Sequence, residues 1–433
     1  MSTVTIEPKR LQGEVTPPAD KSISHRAIIL GALAQGKTVI KNLSLCDDCT
    51  RTLEAFKQMG IAIVQEKGYF YIAGEGLAGL RKPPLGLYLG NSGTSMRLIL
   101  GVLAGQDFRC ELSGDESLSR RPMKRVTEPL TQMGAKISGK DEANFAPLTI
   151  EGGKLKPITY ETPMASAQVK SAILLAGLYA EGQTKVAFQQ HSRDHSERML
   201  KKFGAHLQTK GHSVTIEGRA ILAAQEIEVP GDISSASFFL AGASINPGSQ
   251  VRVRAVGLNP TRTAFLETLG KMGAQVKVTY LNTQMSKSNY ADEAVGEVVA
   301  AASALKGIRI EPQEVPLLID ELPIFMVVAT QADGETVIRG AGELRVKETD
   351  RIQSMVVNLS RLGAQIVNEG NDIIIRGPTK LKGAEVESFL DHRTAMSMAI
   401  AGLVAQGPTT IKDVECVDIS FPGFFNLLAQ LSC

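Results

Sequence analysis

Residues 329–338 read ATQADGETVI: small residues that pack a helix, a turn at Gly334, then the residues of a strand. The same figure occurs five more times, as ALAQGKTVI (32–40), VLAGQDFRCEL (102–112), GLYAEGQTKV (177–186), ASINPGSQVRV (243–253) and LVAQGPTTI (403–411). The turns fall near Gly36, Gln106, Gly182, Gly248, Gly334 and Gly407, roughly 66 to 86 residues apart, which marks a repeat architecture of six units. A second figure runs between them, a helix ending in Gly-Ala or a similar pair and then an alternating strand. LEAFKQMGIAIV (53–64), LTQMGAKI (130–137), MLKKFGAHL (199–207), LETLGKMGAQVKV (266–278) and LSRLGAQIV (359–367) carry it. Ile352, Met355, Val356, Leu359 and Leu362 recur at helical spacing, and Gly363 supplies the left-handed cap. Each unit therefore reads as two helices and several strands, a βαβ-like module.

A chain of 433 residues exceeds what one hydrophobic core usually supports, so six units imply two domains of three. The boundary falls near EVPGDISS (228–235), and EVTPPADKS (14–22) offers a second crossing. The stretch 283–303, TQMSKSNYADEAVGEVVAAAS, fits neither figure and is expected to be a mobile insertion.

Composition excludes several classes. Hydrophobic content of 43% with 21% charged residues is that of a soluble globular protein. Lys plus Arg (47) nearly balance Asp plus Glu (45), Trp is absent and aromatics reach 5%, so neither nucleic acid nor membrane is an expected partner. The N-terminus lacks the apolar core of a signal peptide, and the longest apolar runs are too short to span a bilayer, so a cytoplasmic location is expected. Five cysteines form no even framework. Cys46 and Cys49 make a CxxC, CDDC, but no second CxxC or nearby His pair completes a zinc site. Two Asp between the thiols are expected to raise their pKa.

Polar residues gather at the helix starts. Upstream of the turns stand DKSISHR, NSGTSMR, ASAQVKS, GDISSAS, LIDELP and DHRTAMS; the second helix set opens with CDDCTR, SRRPMKR, SRDHSER, NPTRTA and RVKETDR. Their Ser, Asp, Asn and Thr are in part ordinary caps. Capping does not explain the cations, because a helix N-terminus is already positive. Lys21, Arg26, Arg97, Arg121, Arg193, Lys347, Arg351 and Arg393 nevertheless stand in or beside such first turns. Phosphate or carboxylate groups bound where helix ends converge would satisfy both dipole and side chain. In NSGTS, Gly93 leaves backbone open to close approach. Asp320 follows an apolar run, as a carboxylate at a strand end or as a simple helix cap; burial and nearby cations would push its pKa in opposite directions, as a general base needs.

DKSISHRA, GNSGTSMR, RRPM, SAQVKSA, RDHSERML, DELP, RVKETDRI and DHRTAMS, in this order over essentially the whole chain, resemble the 5-enolpyruvylshikimate-3-phosphate synthase family and its divergent bacterial class II branch. The resemblance implies an α/β enolpyruvyl transferase fold: two lobes, each of three βαβαββ repeats, with the active site in the interlobe cleft. It helps to place residues 21–230 in the lobe of repeats one to three, and 1–20 with 231–433 in the other. It implies transfer of the enolpyruvyl group of phosphoenolpyruvate to shikimate 3-phosphate without metal or organic cofactor; a monomer is expected. By similarity Lys21, Ser22, Arg26, Ser166, Ala167, Gln168, Arg193, Asp320 and Lys347 meet shikimate 3-phosphate. Lys21, Gly93, Arg121, Gln168, Arg351 and Arg393 meet phosphoenolpyruvate. Asp320 is the expected base and Glu348 the acid, with Lys21 or Lys347 assisting.

Departures from the better-known branch accompany these matches. Ala167 replaces a second Ser, Arg193-Asp194-His195 a Ser-Arg-Pro-Tyr pattern, Glu343 an Asn, and Ile419 a Lys. Gly93 is the small residue that the family links to glyphosate sensitivity. Two rivals are weighed. UDP-N-acetylglucosamine enolpyruvyl transferase shares architecture and donor but carries a loop Cys where GDESLSRRP (114–122) has Glu116. A catalytically silent anion-binding protein would need neither Asp320 nor Glu348.

Overall fold

The computed structural model describes residues 2–281 and 293–433. They form two compact units. The first holds the described residues of 19–229 and 286–293, the second those of 1–18, 230–285 and 294–433. Each encloses its own apolar core.

The repeating module is visible in the first unit. Strand Leu87–Tyr88, helix Gly93–Leu103, strand Arg109–Ser113, helix Lys124–Met133 and strands Lys136–Gly139 and Phe145–Glu151 follow in βαβαββ order, with two short helical turns between. The first two strands pair in parallel and the others antiparallel. Strands from Thr159–Thr162 to Ser213–Glu217 repeat this pattern. The third module, around Gln35–Lys41, Ala62–Glu66 and Tyr69–Glu75, takes its leading strand from Glu226–Glu228.

The second unit borrows in the same way. Gln12–Val15 leads the sheet of Gln250–Gly257, Val295–Ala301 and Gln275–Tyr280. Arg309–Ile310 leads that of Gly334–Ile338, Asp372–Gly377 and Gln365–Glu369. The last sheet has three strands: Glu385–Glu387 and Thr409–Lys412 in parallel, and Thr3–Ile6 antiparallel at the edge. The sixth repeat therefore lacks the hairpin expected of it. Beyond Lys412 the apolar residues fall at helical spacing, and Phe424–Leu431 forms a helix instead. Phe424 packs against Phe238, Phe239 and Phe421 at centroid distances of 5.9, 5.7 and 5.3 Å.

A second correction concerns 283–303. Residues 283–292 lie outside the described residues, but Val295–Ala301 is an interior strand of its sheet, not part of an insertion. Its alternating burial makes it an ordinary half-buried strand.

The two helix sets differ as their composition requires. Helices Lys21–Leu33, Gly93–Leu103, Ala167–Gly177, Ile233–Ile245, Leu322–Thr330 and His392–Val404 are apolar around most of their circumference and almost wholly buried. Small residues let them approach closely: a Cβ on Gly101 would stand 2.4 Å from the Ala172 carbonyl oxygen. Helices such as Arg351–Arg361 bury one stripe, and Gly363 at φ 88° turns the chain into the next strand. Asp20, Ser92, Ser166, Asp232 and Asp391 each cap an inner helix with the side chain. The polar residues around these starts are the candidate site.

Candidate active site

In the first unit the helix starts are tied together by side chains. Lys21 opens its helix behind the Asp20 cap, and its Nζ donates to Asp48 Oδ2 at 2.8 Å. The half-buried Ser22 follows, and its carbonyl accepts from Arg26 Nη1 at 2.8 Å. Arg26 is buried, and its other nitrogens donate to Ser196 Oγ at 2.6 Å and Ser171 Oγ at 2.9 Å. That guanidinium fastens the starts of three helices.

Gly93 lies behind the Ser92 cap, with little room beside it. A Cβ there would stand 3.0 Å from Arg97 Nη1 and 3.4 Å from Arg121 Nη1. Arg97 donates to Gln168 Oε1 at 2.5 Å and to the Pro122 carbonyl at 3.1 Å. Gln168 Nε2 donates to Thr94 Oγ1 at 2.9 Å. Arg121 bonds Asn91 Oδ1, and reaches Ser117 Oγ at 3.1 Å. Gly93, Thr94, Arg97, Arg121 and Gln168 thus form one cluster. Ser166 caps the helix that Ala167 opens, and Arg193 is half-buried just ahead of helix His195–Lys202. Beside it, Lys170 pairs with Glu197 at 2.5 Å, both buried.

The second unit gathers the carboxylates. Arg351 is 1% exposed, and donates to Asp391 Oδ2 at 2.8 Å and to Glu348 Oε2 at 2.6 Å. Burial works against its charge, but Asp391, Glu348 and Asp320 together raise its pKa above the ordinary arginine value. Asp320 Oδ1 lies 3.7 Å from Arg351 Nη1, and Oδ2 lies 3.8 Å from Arg393 Nη2. Arg393 also donates to the Asp320 carbonyl at 2.5 Å. Burial lowers the pKa of Lys347, and Arg351 adds to that, while Asp320, Glu343 and Glu348 oppose. Such an ammonium gives up a proton more readily than an exposed one.

Three local expectations change. The run RVKETDR, expected to open a helix, joins it only at its last residue. Gly342–Val346 is a 3₁₀ turn, Lys347 is extended (φ −88°, ψ −153°), and the α-helix begins at Arg351. Asp350 decides this, since its carboxylate accepts from Ile352 and Gln353 N–H at 3.1 Å each. Arg345 in turn holds Asp350 at 2.6 Å. Asp320 is neither strand end nor cap; it lies in the turn between helices Val315–Leu318 and Leu322–Thr330. The CDDC thiols do not both rise. A hydrogen bond from Cys49, helped by Lys21 and Ser44, brings Cys46 down to about 7, against burial and Asp48, whereas burial pushes Cys49 up. Among the described residues no group of three His, Cys, Asp or Glu could hold a metal ion.

The partners that sequence reasoning missed are Asp48, Asn91 and Asp391. All lie in helix-start stretches quoted for other residues. Asp48 sits in CDDC, Asn91 precedes the Gly93 turn, and Asp391 is the cap of DHRTAMS.

Six sheet-and-helix modules, with guanidinium, ammonium and carboxylate groups gathered at their helix starts, define an enolpyruvyl transferase. The family model described as EPSP synthase (3-phosphoshikimate 1-carboxyvinyltransferase) matches residues 6–428. A 3-phosphoshikimate 1-carboxyvinyltransferase of Sulfurihydrogenibium sp. (strain YO3AOP1) is 50% identical over 98% of both chains. One of Bacillus cereus (strain ATCC 10987 / NRS 248) is 49% identical over 100% of both. The solved EPSP synthase of Acinetobacter baumannii superposes with TM-score 0.87 at 44% identity, covering 100% of this chain and 98% of that one. The chain belongs to the EPSP synthase family.

Among the described residues no helix is long and apolar enough to cross a membrane.

Proposed function

We propose that Asp320 is the base and Glu348 the acid in the reaction of the EPSP synthase family, which moves the enolpyruvyl group of phosphoenolpyruvate to the 5-hydroxyl of shikimate 3-phosphate and releases phosphate. The carrying observation is the setting of Asp320. Its oxygens stand 3.7 and 3.8 Å from Arg351 and Arg393, close enough to favour the carboxylate and too far for hydrogen bonds to those two. A carboxylate so placed can take the hydroxyl proton. Glu348, its Oε2 held by Arg351, gives its proton to the enolpyruvyl methylene. In the second step its carboxylate takes a proton back from the methyl group so formed while Asp320 passes its proton to the departing phosphate, which restores the enolpyruvyl double bond. Lys347 and Lys21 stabilise the developing charge.

Lys21, Ser22, Arg26, Ser166, Ala167, Gln168, Arg193, Asp320 and Lys347 serve shikimate 3-phosphate, Arg26 also fastening helix starts together. Lys21, Gly93, Arg121, Gln168, Arg351 and Arg393 serve phosphoenolpyruvate. An enzyme without metal or organic cofactor belongs to the same proposal on the strength of the family resemblance, and a cytoplasmic monomer is proposed with it.

Asp320→Asn is expected to keep binding and lose turnover by about two or more powers of ten. Phosphate release that requires shikimate 3-phosphate measures it, and near-wild-type turnover rejects the base. In the same assay UDP-N-acetylglucosamine should not replace shikimate 3-phosphate. Binding of both substrates with no phosphate release by the wild-type chain would mean a silent anion-binding protein.

A further inference from the structure

We infer that Glu321, Ser234, Arg262 and Asp232 form a buried network that positions the turn carrying Asp320; the inference rests on Asp320 being the base. Glu321 follows Asp320 directly and is 2% exposed. Its carboxylate accepts the hydroxyl of Ser234, whose oxygen in turn accepts from Arg262 Nη2 at 2.6 Å. The same Nη2 reaches Asp232 Oδ1 at 3.0 Å, and that oxygen caps the helix by accepting from Ser234 N–H at 2.9 Å. Arg262 is buried and bonds backbone to backbone with Asn259 at 2.8 Å. The start of helix Ile233–Ile245 is thus linked by side chains to the start of helix Leu322–Thr330.

Physical reasoning gives this arrangement a purpose. A buried carboxylate is costly unless it is hydrogen-bonded and paired, and an ordinary turn would not need one. Anchoring the backbone and the neighbouring side chain of a base orients its carboxylate without using acceptor sites that the incoming proton needs. The anchors of Asp320 lie on either side of its carboxylate. Arg393 holds the Asp320 carbonyl, and Ser234 holds the next side chain. None of the four network residues is assigned to either substrate. They act through Asp320, as positioning residues.

The test compares kcat with KM in the full-length protein. Ser234→Ala removes the link and is expected to lower kcat about ten- to hundred-fold, since small misplacements of a reacting group cost that much, with both KM values within about two-fold of wild type. Ser234→Thr keeps the hydroxyl and restores kcat. Should Ser234→Ala fail to fold around its stranded charge, Ser234→Ala/Glu321→Gln removes charge and link together. It is expected to fold, as its melting temperature will show, and to show the same selective loss of kcat. Wild-type kcat in the folded variants, or a loss that appears only in KM, overturns the network while Asp320→Asn remains inactive. If Asp320→Asn itself turns over normally, the reading of the base fails and the network loses its object.

Discussion

His25 heads a buried run of hydroxyl contacts behind the Gly93 cluster. Its Nδ1 meets Thr52 Oγ1 at 2.7 Å, Thr52 meets Ser95 Oγ at 2.6 Å, and Ser95 donates to Ser92 Oγ at 2.6 Å. Burial first, then Lys21 and Arg26, hold its pKa well below 6.5. The ring is therefore neutral in the folded chain, while an unfolded chain would protonate it near 6.5. The unfolded state binds the extra proton below that pH, so the His25 share of stability is intact above it and is lost as pH falls. We expect the wild-type unfolding free energy to drop, relative to His25→Asn, by about 1.4 kcal/mol per pH unit below about 6.5. Urea unfolding of both proteins between pH 7 and 5 measures the difference, and parallel profiles would remove His25 from the account.

At the scale of elements, the start of helix His392–Val404 governs the start of helix Arg351–Arg361. Asp391 caps the first helix through Arg393 N–H at 2.8 Å, and pairs with the buried Arg351 of the second. Asp391→Ala removes both interactions and leaves a buried guanidinium with Glu348 as its near partner. A loss of about 3 to 5 kcal/mol is expected, the cost of breaking a buried pair from one side. Asp391→Asn, which can still cap, should recover about 1 kcal/mol of it. Urea midpoints read both, and a loss under 1 kcal/mol for Asp391→Ala would mean that the pair is dispensable.

The same elements show what was legible beforehand. The turns and amphipathic helices were visible because periodicity is a local property, and the cations at helix starts were conspicuous because they oppose the dipole. Asp320 could not be placed, since a short apolar run such as PLLID reads equally as strand or helix. The helix of RVKETDR could not be started correctly either, because Thr349 and Asp350 both resemble caps. Partners such as Asp48 for Lys21 or Asp391 for Arg351 lie 27 and 40 residues away, and no spacing announces them.

Over the whole molecule, closure by a borrowed strand decides which segments can stand alone. The second unit draws Thr3–Ile6 and Gln12–Val15 from the N-terminal end, so cutting the chain before residue 19 would leave two of its sheets short of an edge strand. The first unit is different, because its borrowed strand Glu226–Glu228 lies within the continuous run 19–229. That return is fastened along its length. Gln35 N–H donates to Leu222 at 2.7 Å, Val39 N–H to Gln225 at 2.9 Å, and Val229 N–H to Lys41 at 3.1 Å, while Leu222, Ile227 and Val229 enter the apolar core. A fragment of residues 19–229 should therefore fold by itself, although it lacks Glu293, the partner of His195. A fragment of 19–221 loses the closing strand, exposes the edge of Gln35–Lys41 and gives up three core side chains, each worth about 1.5 to 3 kcal/mol. That loss is comparable to the whole stability of a domain. Circular dichroism should show a cooperative melt for 19–229 and none for 19–221. A featureless melt for the longer fragment would mean that the first unit needs the rest of the chain to hold its fold.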